Sequence, residues 1–130
     1  MTGYCGRCPR QTETPMSLPE ETWTRERCYI TELVNEDSIG AFSLAIARVE
    51  PGVTTELHRL SVDEWYVIRS GQGLMEVGGK PPRPVTEGDV VAIPRGVSQR
   101  ISNSGDSDLV FECVCLPRFT PDAYEPVEED

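Results

Sequence analysis

The chain has 130 residues, enough for one domain, with 38% hydrophobic residues and 22 acids against 12 bases, a net charge of −10. Phosphate backbones and anionic lipid surfaces repel such a chain, so neither nucleic acid nor a membrane is expected as a partner. No apolar run approaches a bilayer span, the N-terminus lacks the basic-then-apolar layout of a signal peptide, and the five cysteines are odd in number without scaffold spacing. The expectation is a soluble cytoplasmic protein with reduced thiols.

Residues 1–22 carry three prolines (Pro9, Pro15, Pro19) and no sustained periodicity. They read as an extended arm, loosely held or packed on a partner subunit. From Trp23 onward short strand-like runs follow one another, over 29–34, 41–49, 54–60, 64–68, 74–77, 89–93, 99–102 and 109–115. In the second run Phe42, Leu44 and Ile46 share a face by period-two alternation. Turns punctuate the runs at Pro51-Gly52, Gly71, Gly73, Gly78-Gly79, Pro94-Arg95-Gly96 and the polar stretch 103–108. The last ten residues, 121–130, end in Glu128-Glu129-Asp130 and read as a solvated acidic tail. Gly and Pro number 11 each and no segment has helical periodicity, so the expected class is all-β. The domain is expected over 23–120, as a sandwich or barrel with the jelly roll among the choices.

The chemistry-bearing residues lie mid-chain. Gly52, His58, Leu60, Glu64 and Gly71 form one spaced set, and Gly88, Pro94, Gly96, Gln99 and Asn103 form a second. These two stretches resemble the two cupin motifs, G-x5-H-x-H-x3-4-E-x6-G and G-x5-P-x-G-x2-H-x3-N, in order and with eight of ten template positions matched. The two departures are Leu60 and Gln99, each where the family has histidine. The resemblance covers roughly 25–120 and implies an antiparallel jelly-roll β-barrel with a single central cavity. The glycines and Pro94 have a plain backbone meaning as turn formers and carry no information about a reaction.

In the family, three histidines and the glutamate bind a divalent metal. The resemblance carries over only His58 and Glu64, with Gln99 offering a weak carbonyl oxygen and Leu60 no donor at all. The implied centre is therefore a reduced His58–Glu64–Gln99 site holding Zn, Mn, Fe or Ni weakly or not at all, with Cys113 as a conceivable fourth donor. Without metal, His58 and Glu64 form an acid–base pair, burial raising the carboxyl pKa. Some cupins, the dTDP-sugar epimerases among them, work through a histidine base and a tyrosine acid. Tyr66 sits two residues from Glu64, on the same strand face, and is the candidate proton donor; the plainer alternative is a cavity-lining tyrosine with a satisfied hydroxyl.

Two further features have bland readings beside sharper ones. Cys5-x2-Cys8 could join Cys113-x-Cys115 as zinc thiolates, or be an unstructured thiol pair. Arg59, Arg69 and Arg100 flank inward positions and are expected to point outward. The resemblance implies a small-molecule ligand in the barrel, and a reaction of isomerase, epimerase or lyase type on a sugar or small carboxylic acid. The alternatives are a non-catalytic ligand-binding or sensing module, and a barrel that survives as a dimerising partner. The arm and the sheet edges of a small barrel lead to the expectation of a homodimer.

Overall fold

The computed structural model describes residues 19–128. Eleven strands run in chain order: β1 (Thr22–Trp23), β2 (Tyr29–Glu36), β3 (Ile39–Val49), β4 (His58–Leu60), β5 (Asp63–Ser70), β6 (Gln72–Val77), β7 (Arg83–Thr86), β8 (Val90–Ile93), β9 (Gln99–Asn103), β10 (Leu109–Leu116) and β11 (Tyr124–Pro126). A six-stranded sheet has the order β1-β2-β3-β10-β5-β8, and a five-stranded sheet the order β11-β4-β9-β6-β7. Every strand pair within them is antiparallel. The two sheets face each other as a jelly-roll barrel, and the only helical element among the described residues is a 3-10 turn at Pro121–Ala123. No helix there is long and apolar enough to cross a membrane.

The strands follow from alternation. In β5 the inward residues are Glu64, Tyr66 and Ile68, and in β9 they are Gln99, Ile101 and Asn103. The core between the sheets is built from Phe111, Ile68, Met75, Ile93, Ile101 and Leu109. On β3 the alternation holds, but the larger residues Phe42, Leu44 and Ile46 take the half-buried outer positions. Ser43, Ala47 and Val49 are the buried ones. Small side chains on this wall leave the space that becomes the cavity. Of the run 54–60, only His58–Leu60 forms a strand, and Thr54 makes an isolated bridge to Ser102.

The motif residues that hold the backbone do so visibly. Gly71 has φ +90°, and a Cβ there would meet the Asp108 carbonyl oxygen at 2.6 Å. Asn103 donates through Nδ2 to the carbonyls of Val49 and Ser107, each at 2.8 Å, and accepts from the Gly105 N–H, which staples the polar turn before β10.

The segment read as a solvated tail is built into the barrel as far as Glu128. β11 pairs with β4, Tyr124 opposite Leu60 and Pro126 opposite His58, and the Val127 N–H donates to Leu57 O at 3.0 Å. Charge composition hid a three-residue strand whose pairing is set by β4 rather than by its own propensity. Thr22–Trp23 likewise extends the sheet into the segment read as an arm. Residues 1–18, with Cys5 and Cys8 and the zinc reading attached to them, lie outside the described residues. Arg59, Arg69 and Arg100 point outward, and each pairs with an acid on a neighbouring strand: Glu125, Glu112 and Glu76.

Candidate functional site

The two sheets bring the site together from opposite walls. β5 contributes Glu64 and Tyr66, while β4 and β9 contribute His58 and Gln99, which are register partners. All four are buried, at 6%, 4%, 2% and 1% exposure. Glu64, Tyr66 and His58 border a cavity of about 790 Å³ whose wall also holds Glu26, Ala47, Leu60, Phe111 and Tyr124, and Gln99 lies behind that wall in contact with Glu64 and Tyr66.

Gln99 is the centre of a relay rather than a free donor. Tyr66 donates its hydroxyl to Gln99 Oε1 at 2.7 Å, and Gln99 Nε2 donates to Glu64 Oε1 at 2.9 Å. The Cys115 thiol reaches Glu64 Oε2 at 3.7 Å. Burial pushes the Glu64 pKa up to about 8, against the pull of Gln99, and the nearby Glu26 adds to the rise. Tyr66 packs on Phe111 with ring centroids 4.3 Å apart, and burial raises its hydroxyl pKa well above the usual range. Its hydrogen is spent on Gln99, as the plainer reading of this tyrosine requires.

His58 stands apart from that relay. Its Nδ1 lies 2.7 Å from the Glu56 carbonyl oxygen, which can only accept, so Nδ1 carries the hydrogen. In the neutral ring the lone pair is then on Nε2. Nε2 faces Glu26 Oε1 at 3.7 Å, beyond hydrogen-bond length. Tyr124 stacks on the imidazole at 4.7 Å and 15° between planes. The Tyr124 hydroxyl donates to Glu56 Oε1, and Arg25 binds the same carboxylate through Nε and Nη2, both at 3.1 Å. Burial opposes the Glu56 charge, but Tyr124 and Arg25 outweigh it and hold the carboxyl below its ordinary range. Burial raises the pKa of Glu26, partly offset by His58.

The sequence motifs single out His58, Glu64, Tyr66 and Gln99, of which the first three line the cavity, but do not show that the four divide into two groups. Glu26 and Tyr124, which touch or face His58, were missed. Both lie outside the motif stretches, Glu26 in the turn before β2 and Tyr124 on the strand hidden in the acidic tail. Nothing in their local sequence marks them.

The donor set does not fit a divalent ion. Among the described residues no three His, Cys, Asp or Glu side chains converge on one point. Gln99 has both ends committed to Tyr66 and Glu64, Leu60 offers no donor, and Glu64 is raised towards its neutral form. Cys113 also lines the cavity, but burial, with Glu64 nearby, raises its pKa well above the usual range and keeps it a thiol. Of the His58–Glu64–Gln99 set expected from the motifs, Glu64 and Gln99 are joined to Tyr66 in a protein-to-protein hydrogen-bond chain that His58 does not enter.

Comparisons with known proteins agree with this fold. A family profile described as Cupin domain matches residues 45–115. Oxalate decarboxylase OxdC of Bacillus subtilis is 31% identical over 106 residues, 78% of this chain but 26% of that protein. An oxalate-binding protein of Thermotoga maritima is 28% identical over 115 residues, covering 85% of this chain and 94% of that one. The chain thus spans about a quarter of the first relative and nearly all of the second. Among solved structures, a predicted oxalate decarboxylase from Thermotoga maritima superposes with a TM-score of 0.67 at 28% identity, covering 77% of this chain and 92% of that one. The polyketide cyclase RemF from Streptomyces resistomycificus shares the fold with a TM-score of 0.74 at 17% identity, over 91% of this chain and 87% of that one.

Proposed function

The chain belongs to the cupin family, and from that membership we propose that it binds a small organic molecule between its sheets and moves a proton on it, in a reaction of isomerase, epimerase or lyase type. One observation carries the reading: a buried imidazole whose Nδ1–H is anchored on the Glu56 carbonyl presents Nε2 to a cavity large enough for such a ligand. His58 would act as the base. The ring keeps its Nδ1–H bond to the Glu56 carbonyl while Nε2, 3.7 Å from Glu26 Oε1, takes the proton. Glu64 and Tyr66 form the facing wall, tied together through Gln99, with Glu64 as the group able to hold or give a proton near neutral pH.

The relatives named for oxalate raise the question of a dicarboxylate. Among the described residues the wall offers it no free cation, since the guanidinium of Arg25 is already bound to Glu56, and Glu26 stands on the same wall. Of the substrate classes expected from the sequence, a sugar or another carbonyl compound without a carboxylate suits this wall better than a small carboxylic acid.

The test is deuterium incorporation from heavy water into a panel of ketoses, amino ketones and 2-oxo acids, read by mass spectrometry. Wild type should place deuterium on a carbon next to a carbonyl, and His58→Gln should lose that rate by about a hundredfold or more. Saturable binding without incorporation would favour the non-catalytic ligand-binding or sensing alternative. Neither binding nor incorporation anywhere in the panel would overturn both readings.

A further inference from the structure

We propose that the ligand carries a protonated amine, seated on Glu26, next to the atom that faces His58 Nε2. The inference rests on the cavity being a ligand site, as proposed above, and concerns what that site selects.

The cavity is rich in acceptors and poor in donors. Its acidic lining is Glu20, Glu26 and Glu32, with Glu64 held towards its neutral form, against the single base Arg25. Arg25 is held by both carboxylate oxygens of Glu56 and lies over the Tyr124 ring, 5.7 Å from its centroid. Four of the lining hydroxyls spend their hydrogens on protein: Tyr66 on Gln99, Tyr124 on Glu56, Thr24 on the Cys28 carbonyl and Thr55 on the Ile101 carbonyl. Facing them, His58 is 2% exposed and its Nε2 has no hydrogen bond among the described residues. A Glu26 oxygen lies 3.7 Å away.

Two acceptors at that separation, with no donor between them, call for a ligand that donates. An ammonium supplies three N–H donors and the charge that the wall lacks. With the ammonium on Glu26, the neighbouring carbon of the ligand falls beside Nε2, where its proton would be taken. Phe111, Phe119 and Tyr124 complete the wall and suit an apolar or aromatic body. Burial raises the carboxyls of both Glu26 and Glu64, the state expected of acids whose counter-cation is the ligand.

Three probes of one skeleton test the charge: 2-phenylethylamine, 2-phenylethanol and 3-phenylpropanoate, titrated calorimetrically into the full chain in phosphate and in Tris at pH 7. The amine should bind at least about tenfold more tightly than the alcohol, and the carboxylate most weakly. Its heat should differ between the buffers, because a cation beside raised carboxyls releases a proton. Glu26→Gln should abolish the preference while the alcohol still binds, which also shows that the variant has folded. Equal or tighter binding of the alcohol or carboxylate, or an amine preference kept in Glu26→Gln, would overturn the inference and leave the cavity reading standing. Binding of none of the three also overturns it. The cavity reading falls as well only if the deuterium panel is blank.

Discussion

Glu64 is the residue on which the solution behaviour of this protein should depend most visibly. Its carboxyl sits near 8 in the folded chain against an ordinary 4.5, because burial disfavours the charge. The native state therefore holds the proton more tightly than the unfolded chain. Stability is highest below pH 4.5 as far as this group is concerned, falls as pH rises towards 8, and is flat above it. The gap corresponds to roughly 5 kcal/mol, and Glu26 acts in the same direction. Denaturant midpoints measured at pH 5 and pH 8.5 should show a large drop in wild type and a much smaller one in Glu64→Gln. An equal drop in both would refute the assignment. The metal question also belongs to single side chains. Leu60→His with Gln99→His fills the two motif positions that lack a ligand, and it removes the amide that holds Glu64 to Tyr66. After incubation with Mn, Ni or Zn and desalting, mass spectrometry should find close to one ion per double-variant chain and far less in wild type. Stoichiometric metal in wild type that vanishes in His58→Ala would show that the hydrogen-bond chain yields to an ion.

At the level of elements, β11 contributes most to the site for its length. It has three residues, yet Tyr124 closes over His58 and anchors Glu56, whose backbone carbonyl in turn fixes the imidazole. Tyr124→Ala removes a half-buried ring and should cost about 2 kcal/mol of stability, whereas Tyr124→Phe keeps the stack, loses one bond to a charged acceptor and should cost about 1 to 2 kcal/mol. Thermal melts check both. Two-dimensional NMR of the His58 ring should shift strongly in the alanine variant and little in the phenylalanine one. Elements of this kind mark the limit of what the sequence shows. β5 and β9 were legible because glycines and Pro94 punctuate runs that alternate, so Glu64, Tyr66 and Gln99 could be assigned to inward positions. β11 was not legible, because three residues ending in proline have no pattern of their own and exist only through β4. Motif spacing likewise gave the positions of Gln99 and His58 but not their partners. A partner such as Glu26 is set by how the turn before β2 folds over the barrel mouth, and that depends on contacts remote in sequence.

For the whole molecule, the outer face of the six-stranded sheet decides the expected assembly. Leu44, Val114, Trp65 and Ala92 lie side by side across β3, β10, β5 and β8, and the next row reads Ile46, Glu112, Val67 and Val90. Val90 is 60% exposed. One apolar row and one broken only by Glu112 make a patch uncommon on a monomer, in a chain that otherwise carries ten surplus negative charges. A two-fold axis through it would pair each row with its copy and enclose Glu112 together with its ion-pair partner Arg69. The sequence led instead to a homodimer through sheet edges and the N-terminal arm, so the two modes need separate tests. Light scattering should give twice 14.5 kDa for the full chain. Val90→Lys places two ammonium groups in a desolvated face and should shift the mass towards the monomer at micromolar concentration, while deletion of residues 1–18 should leave the dimer intact. The opposite pattern, a dimer lost with the arm and kept in Val90→Lys, would assign the contact to the edge. A monomer mass for the intact chain would remove both.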